Sequence, residues 1–247
     1  MNEIVLIDGH AHLDELPDLL LSLEEAKNAG VKAIIAVGSA LDSNKKTIEI
    51  ASGYPTYVYP AIGYHPWDIK EQEVEANLIF IQDHLEKCVA LGEIGLDYKA
   101  KVKKEFQHHV FGQLLELAHQ YDKPVIIHCR YSHERAFKMI VEKRIRKAVF
   151  HWYSGSLELL DEIMAQGYFI SATPALLYSP PHQAAIKKAP LDRILLETDT
   201  PVIYQGIESR PKHVWITLEQ TALLKGLDIF LVAIQTTANA RQFFNLP

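Results

Sequence analysis

The chain has 247 residues, of which 48% are hydrophobic and 23% charged, a length that suits one α/β barrel or two small domains. That composition excludes disordered and fibrous classes. A formal net charge of −6 argues against a broad duplex-binding face, which needs a basic surface, but not against a site that grips one phosphate.

Taken in chain order, short β-branched runs alternate with longer helical patterns. Apolar runs at residues 4–7, 31–37, 57–62, 88–94, 125–127, 148–150, 168–170 and 194–196 predict eight strands. Helical periodicity predicts helices over 16–29 (closed by Gly30 in a C-cap position), 73–86, 102–121, 134–143, 157–166, 212–225 and 229–243. Near-continuous apolar strands indicate a sheet covered on both faces, hence a parallel one. Eight such units fit a closed (β/α)8 barrel, the TIM barrel, better than an open doubly wound sheet. No linker or composition shift interrupts the chain, so residues 1–247 read as one domain.

Cys88 and Cys129 form no CxxC pair and lie in or beside apolar runs, which favours reduced thiols. Residues 1–7 are too short and acidic for a signal peptide. No apolar stretch approaches the ~20 residues of a membrane span. The expectation is a cytoplasmic protein with no membrane contact and no obligate protein partner. The basic runs 99–104 and 143–147 read as solvated helix faces.

Polar residues gather where the apolar runs stop. Strand one runs into Asp8-Gly9-His10-Ala11-His12, strand three into Gly63-Tyr64-His65-Pro66, and strand four into Gly92-Glu93-Ile94-Gly95-Leu96-Asp97. His128 and Arg130 follow strand five, His151 follows strand six, and Glu197-Thr198-Asp199-Thr200-Pro201 follows strand eight. In a parallel barrel all these ends point to one face. His10 and His12, two residues apart, share a side of their strand and can reach one cation together. With His128, His151, Glu93 and Asp199 they make six N and O ligands, too many for one tetrahedral ion. They suit two divalent cations, with Zn, Mn, Mg and Fe all compatible. Asp8 has an alternative role as a hydrogen-bonding partner at the barrel mouth. His84, His108, His109 and His119 fall inside helices, while His133, His182 and His213 fall in loops or early helix, where nothing fixes them in the site.

These residues carry a resemblance. Asp8 to Asp14, reading DGHAHLD, resembles the opening of the TatD-like metal-dependent hydrolases of the amidohydrolase superfamily. GYHP at 63–66 is similar to their GxHP element, and GEIGLDY at 92–98 to their most distinctive run. PVIIHCR at 124–130, HWYSG at 151–155 and ETDTP at 197–201 match further elements. The resemblance implies that His10, His12 and Asp199 bind a first metal, that Glu93 bridges two, and that His128 and His151 complete the second site. By it His65 and Arg130 contact the substrate phosphate, Tyr153 joins them as a substrate-binding residue, and Asp199, Glu93 and His65 carry the chemistry. The implied activity is phosphodiester hydrolysis by a metal-bridged hydroxide, as in a deoxyribonuclease, some members being 3′-to-5′ exonucleases on single strands.

The chain departs from the pattern at Tyr131, Trp152, Tyr153 and Ser209-Arg210-Pro211, which puts the DNA substrate in question against a small phosphodiester. Two other readings compete. One is an amidohydrolase-type enzyme on a small ester, lactone, amide or aminoacyl substrate. The other is a barrel that binds metal or phosphate without catalysis.

Overall fold

The computed structural model describes residues 4–247; of the signal-peptide expectation for 1–7, residues 1–3 lie outside it. The elements run β1 (Leu6–Ala11), α1 (Leu19–Asn28), β2 (Val31–Val37), α2 (Leu41–Gly53), β3 (Val58–Ile62), α3 (Val74–His84), β4 (Ala90–Asp97) and α4 (Lys104–Gln120). They continue through β5 (Val125–Arg130), α5 (His133–Glu142), β6 (Ala148–Phe150), α6 (Leu157–Ala165), β7 (Phe169–Ala172), α7 (Pro180–Lys188) and β8 (Ile194–Leu196). A hairpin of β9 (Ile203–Tyr204) and β10 (Ile207–Glu208) follows, then α8 (Val214–Lys225) and α9 (Ile229–Phe244).

Strands β1 to β8 pair in parallel in sequence order. The chain beyond β8 closes the ring on β1: Asp199 N donates to His10 O (2.9 Å) and His12 N to Thr200 O (2.7 Å). The fold is therefore the (β/α)8 barrel expected from the alternation of apolar strands and helices.

Two predicted gaps hold helices. The buried stripe of α2 includes Asn44 and Thr47 beside Ile50 and Ala51, so its apolar period is too weak to read. Helix α7 opens on Pro180-Pro181, a pair that reads as loop although proline is at home in a first helical turn. The hairpin β9–β10 was also not expected; its turn residues Gln205 and Gly206 both have positive φ (51° and 86°), the geometry of a tight two-residue hairpin turn.

Side chains alternate across each strand. The barrel interior takes one residue set: Ile7, Ala33, Ile35, Val37, Ala61, Ala90, Ile126, Val149, Phe169 and Leu195. Phe243 and Phe244 of α9 join that cluster and seal its lower end, Phe243 lying edge-on to Phe169 with centroids 5.3 Å apart. The opposite set faces the helices. Each fully buried large apolar side chain contributes ~1.5–3 kcal/mol. This parity carries on past the core: Ile126 is followed by His128, Val149 by His151, and Leu195 by Glu197, all on the interior side.

Candidate metal centre

The polar strand ends meet at the carboxyl-terminal mouth around Glu93, which is 2% exposed. Its Oε1 lies 2.8 Å from His128 Nδ1 and 2.9 Å from His151 Nε2. Its Oε2 lies 3.4 Å from His12 Nε2 and 3.5 Å from His10 Nε2. Asp199 Oδ1 completes the cluster, 3.6 Å from His10 Nε2 and 3.7 Å from His12 Nε2. Six residues from five strand ends thus share one buried pocket. Two of them reach it only because their strands slip register. Inward parity from Ile7 or Ala90 would turn His10 and Glu93 outward, but β1 is irregular between Asp8 and Ala11 and β4 between Leu91 and Ile94. Such irregularities re-aim side chains next to functional sites.

The outer nitrogens of three imidazoles are already used. His12 Nδ1 lies 3.0 Å from Val37 O, His128 Nε2 3.1 Å from Asp97 Oδ2, and His151 Nδ1 3.3 Å from Glu197 Oε1. Each outer partner is an acceptor, so in the neutral rings the outer nitrogen carries the proton and donates it, and the inner nitrogen offers a lone pair. Three lone pairs aimed at carboxylates repel them unless positive charge lies between. Protons supply that charge when no cation does. Burial alone would lower His12, but Glu93 and Asp199 reverse this and raise it to about 9. His128 and His151 are raised by their carboxylate partners against the same burial penalty. Glu93 is held well below the usual carboxylate range: burial pushes it up, and the surrounding imidazoles outweigh that. His10 Nδ1 is buried and has no hydrogen-bond partner. The donor set therefore fits divalent cations, and three groupings converge tightly enough to hold one: His10-His151-Asp199, His10-His12-Glu93 and His65-Glu93-His128.

The carboxylates behind the histidines had no assigned role in the sequence reading. Asp97 accepts from His128 and Trp67 Nε1 on Oδ2, and from Lys99 N (2.6 Å) and Ala100 N (3.2 Å) on Oδ1. Burial would raise its carboxyl, and these donors bring it down to about 2. Buried Gln107 of α4 clamps the same point, accepting from Asp97 N and donating to Asp97 O. Glu197 also accepts from Trp152 N (3.1 Å). The parity of β8 was the available signal for Glu197, since Leu195 faces inward. Asp8 takes the structural role open to it: fully buried, it accepts from Thr198 N, Thr198 Oγ1 and His10 N, lacing β1 to the end of β8.

Above the cluster lies a cavity of about 880 Å³ lined by His12, His65, Trp67, Arg130, Trp152 and Asp199, among others. His65 is neutral, its pKa lowered by burial to about 3. Its Nδ1 accepts from Trp67 N at 3.2 Å, so Nε2 carries the proton, 3.6 Å from Glu93 Oε1. Arg130 is exposed at the rim. Asp199, Trp152 and Tyr131 all have positive φ (50°, 43° and 57°); such backbone costs on the order of 1 kcal/mol per residue and collects at functional sites.

Tyr153 requires a correction. It is 0% exposed, its hydroxyl donates to Ser156 O, and its ring meets Phe150 and His133 edge-on. A core residue tied this way does not touch substrate; it is Trp152 that faces the cavity. His182 is also core, held between Tyr153 O (2.7 Å) and Thr173 N (3.1 Å). His213 bonds Arg210 N, while Arg210 itself pairs with Glu208 and Asp18. The basic run 99–104 is not a helix face: only Lys104 is helical, and the rest is the loop leaving β4. In the run 143–147, likewise, no residue is helical: Lys143 caps α5 and the rest leads to β6. Both cysteines are free thiols, Cys88 buried and Cys129 part-buried.

Known proteins agree with this geometry. The E. coli TatD homologue YJJV superimposes with a TM-score of 0.90 at 30% identity, over 98% of either chain. The Bacillus subtilis metal-dependent hydrolase YabD is 32% identical, with 98% of this chain and 100% of that one covered. The 3′-5′ ssDNA/RNA exonuclease TatD of Erwinia tasmaniensis is 31% identical over 91% of this chain and 92% of its own. The profile of the TatD related DNases matches residues 7–245. On these grounds, and on the cluster around Glu93, the chain belongs to the TatD related DNase family.

Proposed function

We propose that the chain is a divalent-metal-dependent phosphodiesterase acting on DNA, and that it works as one catalytic domain. The carrying observation is Glu93, a buried carboxylate shared by four imidazoles with both oxygens engaged. In this reading His10, His12 and Asp199 would hold one cation and His128 and His151 the other, with the Glu93 carboxylate within reach of both groups. Bound cations would supply the charge that activates water and neutralises phosphate oxygens.

The chain's own groups do the rest. Asp199, whose carboxylate lines the cavity, takes the proton of the attacking water on the oxygen turned away from His10 and His12 and returns it to the leaving oxygen. His65 offers its Nε2–H to a phosphate oxygen, and its burial keeps it neutral across physiological pH. Arg130 presents a planar donor fork at the rim, suited to a second phosphate oxygen. Asp97 and Glu197 keep His128 and His151 in the tautomer that turns a lone pair inward. The free thiols fit a cytoplasmic setting, and among the described residues no single helix is long and apolar enough to cross a membrane.

Chelation tests the proposal. Exhaustive EDTA treatment should abolish hydrolysis of a phosphodiester reporter, and Mn, Mg or Zn should restore it. Glu93→Ala should lose at least ~100-fold of the restored activity. Lys143→Ala breaks only a surface pair with Glu116 and should leave activity unchanged. Activity that survives chelation, or equal activity in the two variants, would exclude the mechanism.

A further inference from the structure

The loop after β4 carries Lys99, Lys101 and Lys103, and Lys104 opens α4. Loops that follow barrel strands emerge on the catalytic face, so this run stands at the cavity mouth. Arg130 ends the neighbouring β5 and Arg135 lies in the first turn of α5. All six cations are exposed. Among the described residues none of the six is ion-paired. Some cations elsewhere, Lys45, Lys70, Lys188, Lys212, Arg146 and Arg210, face a carboxylate, so what sets the rim apart is six exposed cations gathered on two adjacent loops.

Aromatic rings interleave with these cations. Lys99 Nζ sits 5.3 Å over the Tyr131 ring and Lys104 Nζ 4.3 Å over the Tyr98 ring. Tyr98, Tyr131 and Arg135 line a depression of about 390 Å³, continuous along the chain with Arg130 of the main cavity. Tyr131 is 69% exposed and held at a φ of 57°, a strained position that displays a large ring to solvent. The cavity wall also carries Glu15 and Asp68, the latter in the loop after β3, beside the lysine loop. The exposed cations of the loops after β4 and β5 attract an anionic chain leaving the metal cluster along that part of the mouth. Cations beside aromatic rings, Tyr131 exposed and Tyr98 part-buried, suit a flexible phosphate backbone with a stacking base.

We propose that this basic and aromatic rim is a track for a single-stranded polynucleotide whose reacting phosphate lies in the cavity. The inference rests on the phosphodiesterase reading and adds where the strand beyond the cleaved bond is held.

The test compares wild-type holoenzyme with Lys99→Gln/Lys101→Gln/Lys103→Gln and with a far-face control. The control is Lys87→Gln/Arg144→Gln/Lys147→Gln, whose positions precede strands or follow a helix at the opposite end of the barrel. Binding of a fluorescent phosphorothioate oligothymidylate of about 20 nucleotides is followed against salt, and kcat/KM is measured for the oligomer and for a thymidine dinucleotide. At ~0.7 per phosphate contact on single strands, losing three contacts flattens the slope of log K against log salt by about 2. The preference for oligomer over dinucleotide should fall at least ~10-fold in the rim variant and hold in the control. An unchanged slope and preference, or an equal fall in the control, overturns the track while dinucleotide turnover keeps the phosphodiesterase reading. Wild-type protein that cleaves neither substrate overturns both.

Discussion

Asp97→Asn offers the sharpest probe of how the centre is built, because it removes one charge and leaves every heavy-atom position filled. Asp97 receives four donors, two on each oxygen. An amide has only one oxygen. If that oxygen stays with Lys99 N and Ala100 N, the NH2 group meets Trp67 Nε1–H head-on and donates to His128 Nε2. The His128 proton then moves to Nδ1, which faces Glu93 Oε1 at 2.8 Å and has no lone pair left for a cation. If the amide flips, the two backbone donors lose their acceptor instead. In the first case Trp67 Nε1–H is orphaned at ~1–3 kcal/mol and the misoriented ligand costs ~10–100-fold in metal affinity; in the second His128 keeps its tautomer and the two backbone donors are orphaned at ~1–3 kcal/mol each. Metal affinity would be measured by competition with a chromogenic chelator, and stability by urea unfolding of the metal-free protein. A variant with wild-type affinity and an unshifted midpoint would refute the role given to Asp97.

Three further expectations follow from buried geometry. His182 is neutral in the fold, its pKa lowered by burial to about 4 against ~6.5 in the unfolded chain. Its contribution is complete above pH 6.5 and is lost as pH falls toward 4, roughly 3 kcal/mol in all; urea unfolding of His182→Gln should show a shallower decline in stability over that window, and parallel curves would count against it. Gly95→Ala places a methyl 2.1 Å from His128 O at a φ of 151°, so it should cost on the order of 3 kcal/mol or more or prevent soluble expression. Gly53→Ala meets nothing within 4 Å and should raise the urea midpoint slightly, by about 0.4–1 kcal/mol; opposite signs at the two positions would be the check.

Much of this protein was legible before any coordinates. Apolar runs of strand length separated by helical periods specify a covered parallel sheet, and the polar residues that interrupt them lie at one end. For His128, His151 and Glu197 even the side was determined, because period-2 alternation continues from Ile126, Val149 and Leu195. Elements whose buried faces are polar or proline-led, such as α2 and α7, stayed hidden since periodicity registers only apolar contrast. The tertiary structure alone decided three things. Alternation from Ile7 and Ala90 would point His10 and Glu93 away from the axis, and only the register slips in β1 and β4, set by pairing with neighbouring strands, turn them in. Adjacency in sequence placed Tyr153 beside His151, whereas packing against Phe150 and His133 buries it. The lysines of 99–104 are a string of charges in sequence; they become a rim because the loop leaves its strand on the same side as the metal ligands.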